Sequence, residues 1–143
     1  MTIHQITVFL ENRPGQLAEI TSLLAANQLD IRAISIAETS DYGLVRMIVD
    51  DAQKASSVLL EHGAIMSMNS VWAVEVSDKP GGLAALLNAL SENNVSVEYM
   101  YSLFSHDKEK AYMVLRISDE AAFNDALAKN GIKPVGMEEL GLK

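Results

Sequence analysis

The sequence predicts an α+β protein made of two consecutive copies of one small unit, each with four strands and two helices. Three observations indicate this fold class. A Pro-Gly turn occurs twice, in ENRPGQLAEI from Glu11 and in SDKPGGLAAL from Ser77. Each turn separates an alternating apolar pattern from a helical leucine pattern. The later apolar positions repeat as well, since Pro14 matches Pro80 at an offset of 66 and Val45 matches Met113 at an offset of 68.

The first strand and first helix follow from two periodicities. Ile6, Val8 and Leu10 alternate, as is typical of a half-buried strand, and apolar residues then recur at helical spacing from Leu17 to Leu24. We place the proline of the intervening turn in the first helical turn, where it removes no hydrogen bond.

The remaining elements follow in order. LDIRAISIAE and GLVRMIVD predict two strands joined by the turn sequence TSDYG. DAQKASSVLLEHG predicts a second helix that Gly63 terminates, and AIMSMNS predicts a fourth strand. The second copy gives the same order with a longer hairpin loop at SHDKEK. The order β-α-β-β-α-β is ferredoxin-like. We therefore predict two such two-layer sandwiches, residues 1–70 and 71–143, joined side by side through their sheets.

Composition excludes several classes of protein. The 143 residues contain no cysteine, which excludes disulfides, thiolate zinc sites and a cysteine nucleophile. We expect a cytoplasmic location, because we find neither a secretory signal nor an apolar run of the roughly 20 residues that span a bilayer. The net charge of −8 and the scattered basic residues argue against nucleic acid and membrane partners.

The Pro-Gly turns suggest an anion site. Free N–H groups and the positive dipole end at a helix start favour a carboxylate or phosphate, and glycine permits close approach. Arg13 and Lys79 add a cation before each proline, while Asn12 and Asp78 are positioned either to cap the helix or to receive an ammonium. The alternative is that Pro-Gly only makes a tight turn between strand and helix.

Sheet geometry extends this hypothesis to two clefts. In the order 4-1-3-2 the second strand is an edge that runs parallel to the first strand. If the two second strands pair antiparallel, each turn meets the start of the other copy's second strand. One cleft then combines Asn12–Gln16 with Asn94–Val97, and the other combines Asp78–Gly82 with Leu29–Ile31. The predicted ligand-binding residues are Asn12, Arg13, Pro14, Gly15, Gln16, Leu29, Asp30, Ile31, Asp78, Lys79, Pro80, Gly81, Gly82, Asn94, Val95, Ser96 and Val97.

The residues around both turns carry a family resemblance. FLENRPGQLAEITSLLAANQLDI resembles the opening of an ACT domain, a small-molecule-sensing module of amino-acid metabolism, and VSDKPGGLAALLNALSENNVSV is similar. The likeness covers nearly the whole chain as two tandem copies. It implies amino acid binding between neighbouring domains, through Asn12, Gly15, Asp78 and Gly81. Serine-sensing members carry asparagine where this chain has Asp30 and Ser96, which leaves the ligand open.

Nothing else in the sequence predicts a catalytic or metal site. His4, His62 and His106 fall in separate elements, and His62 is most simply a last-turn helix residue that interacts with the dipole. Phosphate-loop and dinucleotide fingerprints are missing. We therefore expect no enzyme activity, no metal and no cofactor.

The helix-free face of the sheets predicts a homodimer. If Met113 and its alternating neighbours face the helices, several apolar and aromatic groups face away from them and need a cover: Leu44, Ile48, Tyr99, Tyr101, Tyr112 and Val114. The alternative is a wrong facing assignment in one copy. The function we predict is a regulatory sensor that binds a free amino acid and acts on an enzyme of amino-acid metabolism. The competing hypothesis is a non-catalytic interaction scaffold with vestigial clefts.

Overall fold

A computed structural model describes residues 1–11, 13–38 and 41–143. The predicted element order is confirmed: β1 (Ile3–Glu11), α1 (Gln16–Ala26), β2 (Ile31–Glu38), β3 (Tyr42–Val49), α2 (Ala52–Glu61), β4 (Ile65–Ser77), α3 (Gly82–Glu92), β5 (Val97–Leu103), β6 (Lys110–Ile117) and α4 (Glu120–Asn130). Among these residues, no helix has the length and apolar character required to cross a membrane.

Two compact units make up the chain. The first-repeat unit contains His4–Ser70 together with Met137–Lys143, and the second-repeat unit contains Val71–Gly136 together with Met1–Ile3. The predicted fourth strand of the first copy and the first strand of the second copy are one continuous strand, β4, of 13 residues. The sequence predicts two strands here, because the repeat boundary falls between residues 70 and 71, whereas the backbone continues as one strand across it.

Both units have the ferredoxin-like strand order. In the first-repeat unit the order is β4, β1, β3 and β2. In the second-repeat unit the order is β4, β6 and β5, and Pro134 forms an isolated bridge to Val74 of β4 at the place of the fourth strand. Each second strand, β2 or β5, has one neighbouring strand, the third strand of its own copy. The prediction that β2 pairs with β5 is therefore wrong for the described residues.

Helices and sheet enclose a separate core in each unit. Ile6 and Val8 of β1 pack with Leu24 of α1 and Leu59 of α2, all fully buried. The second helix is fixed by Asp51, whose side chain accepts a hydrogen bond from the Lys54 amide. The buried residues are thus those whose strand alternation and helical spacing predicted the elements.

The second-repeat core has the same plan with one aromatic addition. Leu86, Leu90 and Leu127 are buried, and Trp72 packs against Phe123 with ring centroids 5.1 Å apart. Because Trp72 is the one tryptophan of the chain, its fluorescence reports on this unit.

The helix-free face differs from the prediction. Ile48 and Val114 are fully buried and Tyr101 is 8% exposed in the single chain, so the prediction of a bare apolar face is wrong at these positions. Part of that side in the first-repeat unit is polar, because the buried Gln5 donates to Thr7 Oγ1 at 3.3 Å. A homodimer therefore needs a different argument.

The chain's last residues belong to the first-repeat unit. The Arg32 guanidinium donates to the Leu140 carbonyl, and the Lys143 amide donates to the Asp50 carbonyl at 2.7 Å. Leu140 is buried. The C-terminal segment thus lies beside the start of β2.

Candidate functional site at the Pro-Gly turns

Both Pro-Gly turns have the same backbone conformation. Gly15 and Gly81 are the N-cap residues of α1 and α3, with φ of 86° and 89° in the left-handed region. Glycine adopts this region without penalty. Pro14 and Pro80 therefore precede the N-cap, and their predicted place in the first helical turn is wrong. The positive φ delays the start of each helix until the residue after glycine.

The helix starts at these turns are uncapped. Among the described residues, no side chain forms a cap hydrogen bond at α1 or α3, although Asp51 and Asp119 cap α2 and α4. Asp78 therefore does not cap α3, and Asn12 lies outside the described residues. The first N–H groups of a helix have no intrahelical acceptor, so an uncapped start retains donors for another group.

Cavities lie beside both turns, and one of about 280 Å³ on the β2 side of the first turn is lined by Arg13, Pro14 and Gln16. The first-repeat cavity, of about 230 Å³, is bordered by the end of β1, the start of α1 and the turn after α2. The second-repeat cavity, of about 420 Å³, is bordered by the equivalent parts of β4, α3 and the turn after α4. Predicted turn residues line both, namely Arg13 and Gln16 in the first and Lys79, Pro80, Gly81 and Gly82 in the second.

Charged side chains occupy the first-repeat cavity. His62 Nε2 lies 2.8 Å from Glu19 Oε1, and Arg13 Nη2 lies 3.7 Å from Glu19 Oε2. Gln16 Oε1 is buried without a hydrogen-bond partner among the described residues. The contact between His62 and Glu19 was not predicted, because residues 43 positions apart in two helices share no sequence pattern.

The second-repeat cavity has fewer side chains in it. Gly82 and Ala85 stand where the first copy has Gln16 and Glu19. Its apolar lining includes Val76, Leu86 and Ile132, and its polar lining includes Glu75, Lys79 and Lys133. Equivalent backbone positions thus carry long side chains in the first copy and little or no side chain in the second.

The strand-two residues lie at the opposite end of each unit from the turns. Since β1 and β2 both pair antiparallel with β3, they are parallel, and the end of one is distant from the start of the other. The same holds for β4 and β5. Neither unit therefore brings its own turn and its own strand-two start together.

Each strand-two start is tied to the end of the third strand. The Asp30 amide donates to Asp50 Oδ1 and the Ser96 amide donates to Ser118 Oγ, both at 3.0 Å. Asp30 and Ser96 are themselves exposed. Their side chains remain accessible to a ligand, while their backbones are fixed.

The flanking predicted residues are structural in their own unit. Leu29 and Val95 are each 6% exposed and belong to the cores, and Ile31 and Val97 pack against them. Asn94 has a φ of 57° and follows the end of α3. These side chains contribute to packing and to the helix end.

A search of the described ranges finds no cluster of three His, Cys, Asp or Glu side chains able to hold a metal ion.

Comparison with known proteins identifies the family. The family model for an ACT domain pair matches residues 1–141. Protein BT0572 from Bacteroides thetaiotaomicron is 33% identical over 99% of this chain and 96% of that chain, with a TM-score of 0.89. The search of curated proteins finds no match.

Two more distant structures share the fold. The regulatory subunit of aspartate kinase from Thermus thermophilus is 15% identical, over 90% of this chain and 89% of that chain, with a TM-score of 0.65. The corresponding subunit from Thermus flavus is 16% identical, over 92% of this chain and 94% of that chain, with a TM-score of 0.59. The family model covers nearly the full length of the chain, and both copies have the ferredoxin-like strand order. The chain therefore belongs to the ACT domain family as an ACT domain pair.

Proposed function

We propose that this ACT domain pair is a non-catalytic regulatory protein that binds a free amino acid beside its Pro-Gly turns. One observation carries the proposal. Asp51 and Asp119 cap α2 and α4, whereas no side chain in the described part of the chain caps α1 or α3, which begin behind glycines with positive φ. A helix start that serves structure alone gains stability from a cap, whereas one that receives a carboxylate needs its donors free.

The side chains near the turns suit a zwitterion. Arg13 and Lys79 supply positive charge beside each helix start, where the dipole also favours a carboxylate. Asp78, exposed beside the second turn, is available for an ammonium group. The exposed Asp30 and Ser96 are the proposed contacts from a neighbouring second strand.

We propose a homodimer to complete the predicted clefts. The outer edges of β2 and β5 lack a neighbouring strand among the described residues, and an open edge tends to be paired or covered. Near the β2 edge, Ile36 is 53% exposed, and Phe9 and Tyr42 form an exposed ring pair on β1 and β3. A second copy that pairs antiparallel along such an edge places its strand-two start beside a Pro-Gly turn.

Regulation follows from this arrangement. A ligand bound between copies favours the assembly in which its contacts are complete, and a partner that reads the assembly senses the ligand. The proposed partner is an enzyme of amino-acid metabolism, which is consistent with the fold shared with aspartate kinase regulatory subunits. The proposed location is cytoplasmic.

One specific observation favours the scaffold hypothesis. The first-repeat cavity is occupied by the Glu19 and His62 side chains, as expected of a vestigial cleft. If the second-repeat cavity also bound no ligand, the domain pair would act only through its surfaces.

Thermal unfolding with each of the twenty amino acids tests the proposal. A ligand at one hundred times its Kd stabilises the folded state by about 2.7 kcal/mol, so at least one amino acid should raise Tm. Gly81→Val should abolish the response. Gly141→Val is the matched control, because Gly141 also has a positive φ, of 68°, and a Cβ on it would make only an ordinary contact, but it lines neither cavity. No response at millimolar concentrations would favour the scaffold.

A further inference from the structure

We propose that the second-repeat cavity alone is the ligand site, that it takes a small carboxylate with a short apolar chain, and that one molecule binds per chain. The first-repeat cavity is narrowed by its own side chains. This inference rests on the proposed function and names the cavity and the ligand class.

The two cavities are equivalent places in the fold. Each lies between the end of the first strand, the first turn of the first helix and the turn after the second helix of its copy. The lining positions match in order: Arg13 with Lys79, Gln16 with Gly82, Glu19 with Ala85, Ile20 with Leu86, Gly63 with Gly131 and Ile65 with Lys133. Any difference in binding therefore comes from side chains.

In the first copy those side chains narrow the cavity. The 2.8 Å contact between His62 and Glu19 links α2 to α1 across it, and Arg13 lies 3.7 Å from both Glu19 and Glu11. Gln16 adds a further side chain to the lining. The remaining space is about 230 Å³, and its lining contains the Glu11 and Glu19 carboxylates, the Arg13 guanidinium and the His62 imidazole. A carboxylate ligand gains little charge attraction there.

In the second copy the same positions carry little or no side chain. Gly82 has no side chain and Ala85 has one methyl group, which leaves about 420 Å³, within the range of small-molecule pockets. Lys79 and Lys133 supply the positive charge of the lining. Glu75 carries the one carboxylate of the lining, and it lies 3.5 Å from Lys110 Nζ. Lys79, beside the positive end of the helix dipole, therefore favours an anion.

The apolar part of the cavity selects the rest of the ligand. Val76 and Leu86 are buried core residues that reach the cavity wall, and Ile132 adds a partly buried side chain. Burying a short alkyl chain against them is favourable, because it removes apolar surface from water. The cavity thus matches a carboxylate that carries an aliphatic chain.

A close backbone approach keeps the second cavity open. A Cβ on Gly82 would lie 2.0 Å from the Ser77 carbonyl oxygen, so no larger residue fits without moving the turn. The first copy has Gln16 at this position. The opening in the second copy is therefore built into its turn.

Isothermal titration calorimetry of the full chain tests the ligand class. The probes are leucine, 4-methylpentanoate, which lacks the ammonium, and isoamylamine, which lacks the carboxylate. We expect the two carboxylates to bind with one site per chain and the amine not to bind. Binding of the amine, or two equal sites per chain, would overturn the inference.

Matched substitutions test the location. Ala85 is exposed, so Ala85→Glu introduces the equivalent first-copy residue without disturbing the hydrophobic core. It should weaken carboxylate binding by roughly tenfold or more. Lys79→Gln should also weaken it. The controls Ala84→Glu and Lys129→Gln make the same changes at exposed residues of the second-repeat unit that do not line the cavity, and they should leave this affinity unchanged. Arg13→Gln makes the lysine change at the equivalent position of the first-repeat cavity and separates the two locations. Trp72 fluorescence and circular dichroism verify that each variant is folded.

The outcomes separate the two proposals. Binding that resists Ala85→Glu and Lys79→Gln but is weakened by Arg13→Gln would overturn this inference and leave the proposed function intact. If no amino acid or carboxylate binds the folded wild-type chain, the proposed function fails and this inference fails with it.

Discussion

The neighbouring glycines of the second turn allow backbone strain and steric overlap to be measured separately. Gly81 has a φ of 89°, and a Cβ built on it meets no atom within 4 Å. Gly81→Ala should therefore lower the free energy of unfolding by the left-handed penalty alone, about 1–2 kcal/mol. Gly82 is the reverse case, because its Cβ would lie 2.0 Å from the Ser77 carbonyl oxygen. Since that neighbour is backbone, Gly82→Ala should cost about 1–3 kcal/mol through displacement of the turn.

Urea unfolding followed by Trp72 fluorescence measures both losses. Trp72 is 6% exposed and lies in the second-repeat unit with both glycines, so its transition reports the unit that is changed. The unfolding midpoint should fall while the slope with urea stays constant, as expected when stability alone changes. Gly131→Ala is the control, because Gly131 has a φ of 61° and equal free space but ends α4 instead of starting a helix.

The two substitutions should also differ at the cavity. Gly81→Ala adds a methyl group to open space, whereas Gly82→Ala moves the turn that borders the second-repeat cavity. A wild-type unfolding midpoint for Gly81→Ala would show that the residue does not hold the left-handed conformation in solution. A Gly82→Ala variant of wild-type stability would refute the close approach to Ser77.

Three further predictions concern stability. Asp51→Ala and Asp119→Ala should each lower the free energy of unfolding by about 1 kcal/mol, because each removes a helix cap, while the Asn variants should retain most of it in urea titrations. Leu140→Ala should destabilise the first-repeat unit by about 2–5 kcal/mol and increase amide hydrogen exchange around Arg32, since the buried Leu140 anchors the C-terminal segment there. Asn69→Ala should lower the unfolding free energy by about 1–3 kcal/mol, because Asn69 Oδ1 accepts from the buried Gln5; a neutral result would show that water replaces it.

The fold could be predicted because its signals are local. Alternation at Ile6, Val8 and Leu10 and helical spacing from Leu17 onward each reflect contacts of one element with one core, and both patterns recur in the second copy. The place of the C-terminal segment could not be predicted this way. Its contact with Arg32 joins residues 108 positions apart, and the repeat itself assigned that segment to the other copy.

The facing of the sheets shows the limit of alternation. The pattern correctly assigned Met113 and Leu115 to one side and Val114 to the other. It did not show what buries Val114, because a period of two gives orientation without a partner. The argument for a dimer from this face failed for that reason.

The candidate site divides into a part that the backbone fixes and a part that side chains fix. Both copies keep the glycine with positive φ, and no described side chain caps the helix that follows it, so these features alone do not distinguish a binding site from a turn. The copies differ at Gln16 and Gly82 and at Glu19 and Ala85, and the offset of 66 already aligns these pairs in the sequence. Substitutions at the glycines therefore test the fold, while exchanges between Glu19 and Ala85 test the chemistry of binding. A response to the second kind of change with stability preserved is the result that a purely structural turn does not produce.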